Sequence, residues 1–178
     1  MELISKCKAK KIIGILLRMI AFGSTVAAAV VMATSNQTVA VAPGISVQVK
    51  FSDAPALKYF VIANSIVSLY GFLVLFVPFE GLLRRSVLAS DMVFIMLLSS
   101  SISAALAVSE VGKKGNPLAG WRPICGMVPR YCNQVRAALI VGFIGLFSYT
   151  ITLITSFALS LVLLLLQKPS LNFFLINY

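Results

Sequence analysis

Four hydrophobic segments divide this sequence, and each is long enough to cross a lipid bilayer as an α-helix. A helix needs about 20 apolar residues to span about 30 Å of hydrocarbon. The chain is 60% hydrophobic and 11% charged, which leaves too little polar surface for a soluble domain. The fourth segment exceeds the required length, so it tilts or places one end at the interface. The pattern predicts an all-α membrane protein, a bundle of four transmembrane helices at residues 12–33, 57–79, 87–108 and 137–166.

Two ionisable residues interrupt these segments, Arg18 in the first and Asp91 in the third. Each alone would cost about 2.5–3.5 kcal/mol at the centre of a membrane helix. They lie about 9 Å and about 6 Å from the start of their segments, at 1.5 Å per residue. If both segments start at the same face, the opposite charges lie at similar depth, and we predict an intramembrane ion pair that specifies which helices are neighbours. The alternatives are an Arg18 that snorkels to the headgroups and an Asp91 on an ion or proton path.

Basic residues suggest an orientation. Four lysines precede the first segment, which favours a cytoplasmic amino terminus. Residues 1–11 would then be a cytoplasmic basic tail, residues 12–166 the membrane domain, and residues 167–178 a second cytoplasmic tail. Outer loops would cover 34–56 and 109–136. With Arg18 excluded, seven basic residues fall on each side, so the charge count alone does not decide the orientation.

The predicted outer loops carry two further patterns. In the first loop, apolar and polar residues alternate from Ile45 to Ser52, directly after Pro43 and Gly44, which predicts a small extracellular β-hairpin. In the second, six residues separate Cys125 from Cys132. This is not the CxxC spacing of redox or zinc motifs, and we expect a structural disulfide on an oxidising face. Trp121 is expected to be an interfacial anchor or to fill the core of the loop.

The sequence contains two candidate modification sites. Asn36, with Gln37 and Thr38, forms a glycosylation sequon. It abuts the membrane end of the first helix, so we expect it to stay unmodified. Cys7 beside the lysine cluster is either palmitoylated or a free thiol.

Small residues recur at four-residue spacing within the segments, as in Gly23 and Ala27, and glycines occur at Gly142 and Gly145. Such residues let helix backbones approach closely in lipid. They serve either packing within the chain, which we favour, or a dimer seam.

Several functions are disfavoured. The net charge of +10 comes from residues that flank the hydrophobic segments, so contact with the lipid bilayer explains it better than nucleic acid does. The chain has no histidine, the usual general base and metal ligand. We expect no enzyme activity, cofactor or metal. The leading hypothesis is a membrane scaffold, and the alternative is a small-solute transporter or channel.

Several features in this order resemble the Casparian strip membrane domain proteins and their relatives in land plants, a MARVEL-like tetraspan group, and most closely subfamily 1 of the CASP-like proteins. The resemblance covers nearly the whole chain. The residues that carry it are Arg18, the run from Leu57 to Asn64, Asp91, the group Ser100, Ile102, Ala104, Ala105 and Ala107, and the outer-loop set Gly115, Asn116, Trp121, Ile124, Cys125 and Cys132.

The resemblance implies a plasma-membrane scaffold that forms homodimers and heterodimers with family members and recruits secreted wall-modifying enzymes. Residues 43–55 lack the acidic, aromatic stretch associated with the founding members. The implied role is therefore that of a related scaffold rather than of the Casparian strip itself.

Overall fold

Four long α-helices form most of the protein. The computed structural model describes the backbone of residues 2–42, 45–76 and 81–176, and the side chains of residues 12–40, 46–76 and 85–158. Each helix in these ranges includes a stretch apolar and long enough to cross a membrane, which confirms the predicted fold class. The helices are α1 (Glu2–Ala33), α2 (Pro55–Phe76), α3 (Gly81–Lys114) and α4 (Pro129–Ile176).

The helices extend beyond some of the predicted hydrophobic segments. Pro55 and Pro129 occupy the first positions of α2 and α4, where a residue without an N–H suits the start of a helix. α3 continues to Lys114, so the connection between α3 and α4 is shorter than hydropathy suggested. The helical backbone hydrogen bonds continue through polar residues beyond the hydrophobic segments. A hydropathy pattern does not detect these ends of the helices.

The helices pack as a closed ring. α1 packs extensively against α2 and α4, and α3 packs against the same two helices. α1 and α3 therefore lie across from each other, with the centre of the bundle between them. Close approach of α4 to α1 depends on Gly145, because a Cβ there would lie 2.9 Å from Ser24 Oγ. Packing within the chain, rather than a dimer seam, accounts for this glycine.

Two apolar layers fill the bundle. The larger one lies at the end that carries the hairpin and the connection between α3 and α4, and it includes Met32, Leu57, Phe60, Ile102 and Leu139. A second, smaller layer comprises Ala21, Val67, Leu98 and Tyr149. All of these side chains are buried, and they come from all four helices.

A two-stranded antiparallel hairpin follows α1, with β1 at Asn36–Ala42 and β2 at Ile45–Lys50. This confirms the predicted hairpin; its turn at residues 43–44 lies outside the described residues. Val39 and Val49 pack against the larger apolar layer. Gln37 Oε1 accepts a hydrogen bond of 3.0 Å from the Tyr131 backbone N–H, a donor in the first turn of α4 that has no partner within its helix. The hairpin is thereby fixed to α4.

The connection between α3 and α4 is held by a disulfide. Cys125 and Cys132 are bonded, with their Cα atoms 5.6 Å apart, which confirms the predicted pairing. Asn116 and Trp121 form a backbone bridge, and Gly115 has a positive φ of 71° that suits glycine. Trp121 is 63% exposed, so it does not fill the core of the loop.

Gly71 allows Tyr149 to lie between α2 and α4. A Cβ at this position would clash with the Tyr149 hydroxyl oxygen, and that hydroxyl donates to the Val67 carbonyl at 3.3 Å. The tyrosine is buried, so it has little room to move aside.

We predict that Gly71→Ala lowers the free energy of unfolding by about 1–3 kcal/mol, the usual cost of overpacking. Tyr149→Phe removes the clashing oxygen, and the nearest remaining ring atom, Cζ, would lie 3.6 Å from the new Cβ. The double variant should therefore be more stable than the sum of the two single effects. Thermal unfolding in lipid nanodiscs measures this, and strictly additive effects would show that Tyr149 is not the obstacle.

Candidate functional site: a charge pair inside the bundle

The structure brings Arg18 and Asp91 together in the interior. Arg18 Nη2 lies 2.6 Å from Asp91 Oδ2, and Nη1 lies 3.4 Å from Oδ1. Their side chains are 6% and 1% exposed. The guanidinium thus approaches the carboxylate with two nitrogens, the geometry in which arginine binds carboxylates most strongly. Neither side chain is exposed enough to be the snorkelling arginine or the water-contacting aspartate of the alternative interpretation.

The pair crosses the bundle rather than joining neighbouring helices. α1 and α3 stand on opposite sides of the ring, so only a long side chain can connect them. Arg18 provides that length, since its guanidinium stands at the end of three methylenes. The two charges consequently meet in the interior of the bundle, where the dielectric constant is low.

Tyr70 of α2 is a third member that the sequence analysis missed. Its hydroxyl donates to Asp91 Oδ1 at 2.7 Å and lies 3.1 Å from the Val87 carbonyl oxygen. Its ring stacks near Phe94, with centroids 4.2 Å apart. The sequence offered one signal for this residue: Tyr70 lies inside the hydrophobic segment 57–79. A buried phenol needs a hydrogen-bond partner, so its position indicates a polar group nearby.

Both carboxylate oxygens of Asp91 therefore have donors. Oδ2 accepts from Arg18 and Oδ1 accepts from Tyr70. Burying a charge in an apolar interior is tolerated when it is both paired and hydrogen-bonded. The network joins α1, α2 and α3 through one carboxylate. It can therefore fix these three helices relative to one another.

Most other buried polar side chains are hydrogen-bonded within their own helices. Buried Thr25, Ser101 and Thr152 each donate to a carbonyl of their own helix, at 2.8–3.1 Å. Buried Asn64 donates to the Phe60 carbonyl at 2.9 Å, while its Oδ1 has no hydrogen-bond partner among the described residues. Within those residues, no three His, Cys, Asp or Glu side chains form a group that could hold a metal ion.

The remaining predicted residues lie away from this network. Asn36 is exposed at the start of β1, and its side-chain amide donates to the Thr34 carbonyl at 3.1 Å. The disulfide lies at the other end of the bundle from Arg18, beside the larger apolar layer. The side chain of Cys7 falls outside the described residues.

We predict that removing one charge is worse than removing both. Arg18→Leu or Asp91→Leu alone removes one member of a buried ion pair and should cost about 3–5 kcal/mol of folding free energy. The double variant should be markedly milder. Thermal unfolding in nanodiscs and the fraction delivered to the cell surface measure the effect, with exposed Arg85→Leu as the control. Equal defects in single and double variants would contradict a functional pair.

We predict that Tyr70→Phe lowers the free energy of unfolding by about 1.5–3 kcal/mol, since it removes a hydrogen bond to a charged group. Tyr59→Phe is the matched control, because the Tyr59 hydroxyl makes a 3.4 Å contact with Ser100 Oγ in an exposed position. The effect of Tyr70→Phe should shrink when Asp91 is already Leu. An unchanged effect in that background would place the role of the hydroxyl at Val87 instead.

Comparison with known proteins identifies the family. The model of the Casparian strip membrane protein domain matches residues 8–148. CASP-like protein 1C3 of Populus trichocarpa is 56% identical over 162 residues, which cover 91% of this chain and 94% of that protein. CASP-like protein 1C1 of Arabidopsis thaliana is 52% identical, over 89% and 96% respectively. No solved structure matches the chain. This four-helix protein, with its charge pair across the bundle, therefore belongs to the family of Casparian strip and CASP-like membrane proteins.

Proposed function

We propose that the chain is a non-enzymatic scaffold of the plasma membrane, which self-associates into a platform and organises local modification of the cell wall. One observation carries this proposal: the buried carboxylate of Asp91 accepts hydrogen bonds from Arg18 and Tyr70, which lie on two other helices. Such a network supports a fixed bundle. It leaves the outer surface of the bundle, rather than its interior, as the part available for function.

The interior supports packing more than transport. A transport path needs polar groups that face a water-filled lumen. Here the buried hydroxyls of Thr25, Ser101 and Thr152 are directed at carbonyls of their own helices. The apolar layers on the loop side of the charge pair are formed by large side chains such as Phe60 and Tyr149, both buried.

The outer face of α1 offers a seam for self-association. Gly23 and Ala27 are exposed, one turn apart, and a Cβ at Gly23 would meet no atom within 4 Å. Ala28, on the adjacent line, is fully buried in the bundle. Small residues that face lipid allow the backbone of a second copy, or of a related family member, to approach closely.

The orientation completes the proposal. A disulfide is typical of an oxidising side of the membrane, so we infer that the loop between α3 and α4 is outside and that both termini are cytoplasmic. The hairpin and this loop then face the wall, where secreted wall-modifying enzymes would be the partners of a platform. The membrane domain comprises residues 12–166, with the tails on either side of it cytoplasmic.

We expect photobleaching of a fluorescently tagged chain in plant cells to show clustered plasma-membrane signal with slow recovery. Gly23→Leu with Ala27→Leu should speed recovery, because overpacking an interface costs about 1–3 kcal/mol and raises its dissociation constant about 5- to 150-fold. Ala107→Leu, an exposed position on α3, is the control and should leave recovery unchanged. Fast recovery of the unaltered protein, or ion conductance by the purified protein in a planar bilayer, would count against a scaffold.

A further inference from the structure

One end of the bundle is strongly basic. We define the disulfide end as residues 34–54 and 115–128, together with the adjoining turns of the four helices. It carries seven basic residues and two acidic ones, Asp53 and Glu110. The seven are Lys50, Lys58, Lys113, Lys114, Arg122, Arg130 and Arg136.

Contact with lipid and membrane orientation do not account for all of this charge. Lysine and arginine normally concentrate on the cytoplasmic side of a membrane protein and set its orientation. The bond between Cys125 and Cys132 indicates that this end faces an oxidising, extracellular compartment. An outer face that carries as many basic residues as the inner face gains nothing from this preference, so a ligand on the outer side is a separate reason for these side chains.

Most of these cations have no acidic partner among the residues whose side chains the structure describes. Lys114 Nζ forms an exposed salt bridge of 3.0 Å with Glu110. The other six side chains are exposed, and among the described residues none of them forms a salt bridge. Asp53 is engaged too, since its carboxylate accepts from the Lys50 backbone N–H at 2.8 Å.

The six free cations differ in depth along the bundle. Lys58 lies in the first turn of α2, and Arg136 lies in the second turn of α4. Their long side chains can reach the headgroup phosphates. Lys50, Lys113, Arg122 and Arg130 lie on the hairpin, at the end of α3, in the loop and at the first turn of α4. These four stand further from the hydrocarbon.

We propose that the disulfide end binds an acidic polysaccharide outside the cell. The four outer cations sit on separate segments, so a flexible chain with repeated carboxylates can contact them together without a preformed cleft. Anionic lipid is a poorer match, because the negative surface potential belongs mainly to the cytoplasmic leaflet. The proposal rests on the orientation within the proposed function and is independent of self-association.

Trp121 adds a feature that suits a sugar rather than any polyanion. Its side chain is 63% exposed, it directly precedes Arg122, and its backbone is fixed by the bridge to Asn116. An indole presents a rigid apolar face, on which the C–H face of a sugar ring can stack. Arg122 would then stand beside the carboxylate of the same or the next residue of the polymer.

The test uses the full-length protein on intact insect cells, which have no wall and expose only the outer face. Fluorescent polygalacturonate, its methyl ester and polyglutamate are added, and bound polymer is normalised to surface protein by biotinylation. We expect binding of polygalacturonate but not of the ester. Replacing Lys113, Arg122 and Arg130 with Gln should lower the affinity about 3- to 150-fold, as expected for three exposed ion pairs.

Two further variants separate the explanations. Lys10→Gln with Lys11→Gln changes the cytoplasmic tail and should leave binding unchanged. Trp121→Ala should weaken binding of polygalacturonate while leaving binding of polyglutamate unchanged. The triple variant must keep the difference in gel mobility between non-reduced and reduced samples, which shows that the disulfide still closes the loop.

Four results would overturn the proposal: equal binding of the ester, no effect of the triple variant, no selective effect of Trp121→Ala, or a preference for added phosphatidylserine vesicles over the polymer. Impermeant thiol labelling that placed the reduced cysteines in the cytoplasm would also overturn it. Because the assay reads polymer bound per molecule, a protein that fails to self-associate still gives a positive result. Failure of the scaffold and failure of this proposal are therefore distinguishable.

Discussion

The fold depends on one interaction, the contact between a guanidinium on α1 and a carboxylate on α3 across the centre of the bundle. These helices do not pack side by side, and both pack against α2 and α4. Arg18 and Asp91 therefore meet across the centre of the ring. Tyr70 then adds α2 to the same carboxylate. A buried ion pair gives little net stability, since desolvation offsets much of the attraction. Its value here is specificity, because arrangements of the helices that separate Arg18 from Asp91 lose this contact in an environment that cannot hydrate the charges.

The two ends of the bundle are built on different chemistry. At the disulfide end, large apolar side chains, a covalent bond and a hairpin bound to α4 through Gln37 make a rigid platform. On the opposite side of the smaller apolar layer, the polar network around Asp91 holds the helices by charge. A bundle fixed in both ways can present constant surfaces to lipid along its sides and to the aqueous phase at the disulfide end. This combination suits a protein whose role is to position other molecules.

Much of this was accessible from the sequence because the relevant signals are local. Continuous apolar segments predicted the four helices. The alternation of apolar and polar residues after a Pro-Gly turn predicted the hairpin, and cysteine spacing predicted the disulfide. Arg18 and Asp91 stood out because charges in hydrocarbon require an explanation. Tyr70, Gln37 and Gly71 were not found, because their roles depend on partners in other elements: an aspartate on α3, a backbone N–H on α4, and a hydroxyl on α4. Small-residue spacing likewise could not tell Gly145, which faces α1, from Gly23, which faces outward.

The sequence by itself determined that this is a four-span membrane protein with a hairpin and a closed cysteine loop, since hydrophobic length, side-chain alternation and residue spacing are properties of short stretches. Only the tertiary structure decided the order of the helices around the ring, the placement of α1 opposite α3, and the third donor to Asp91. The physical reason is that lipid makes every apolar helix face nearly equivalent. Which faces meet is then set by a few polar contacts and close approaches between residues distant in the chain, and these exist only once the helices are assembled.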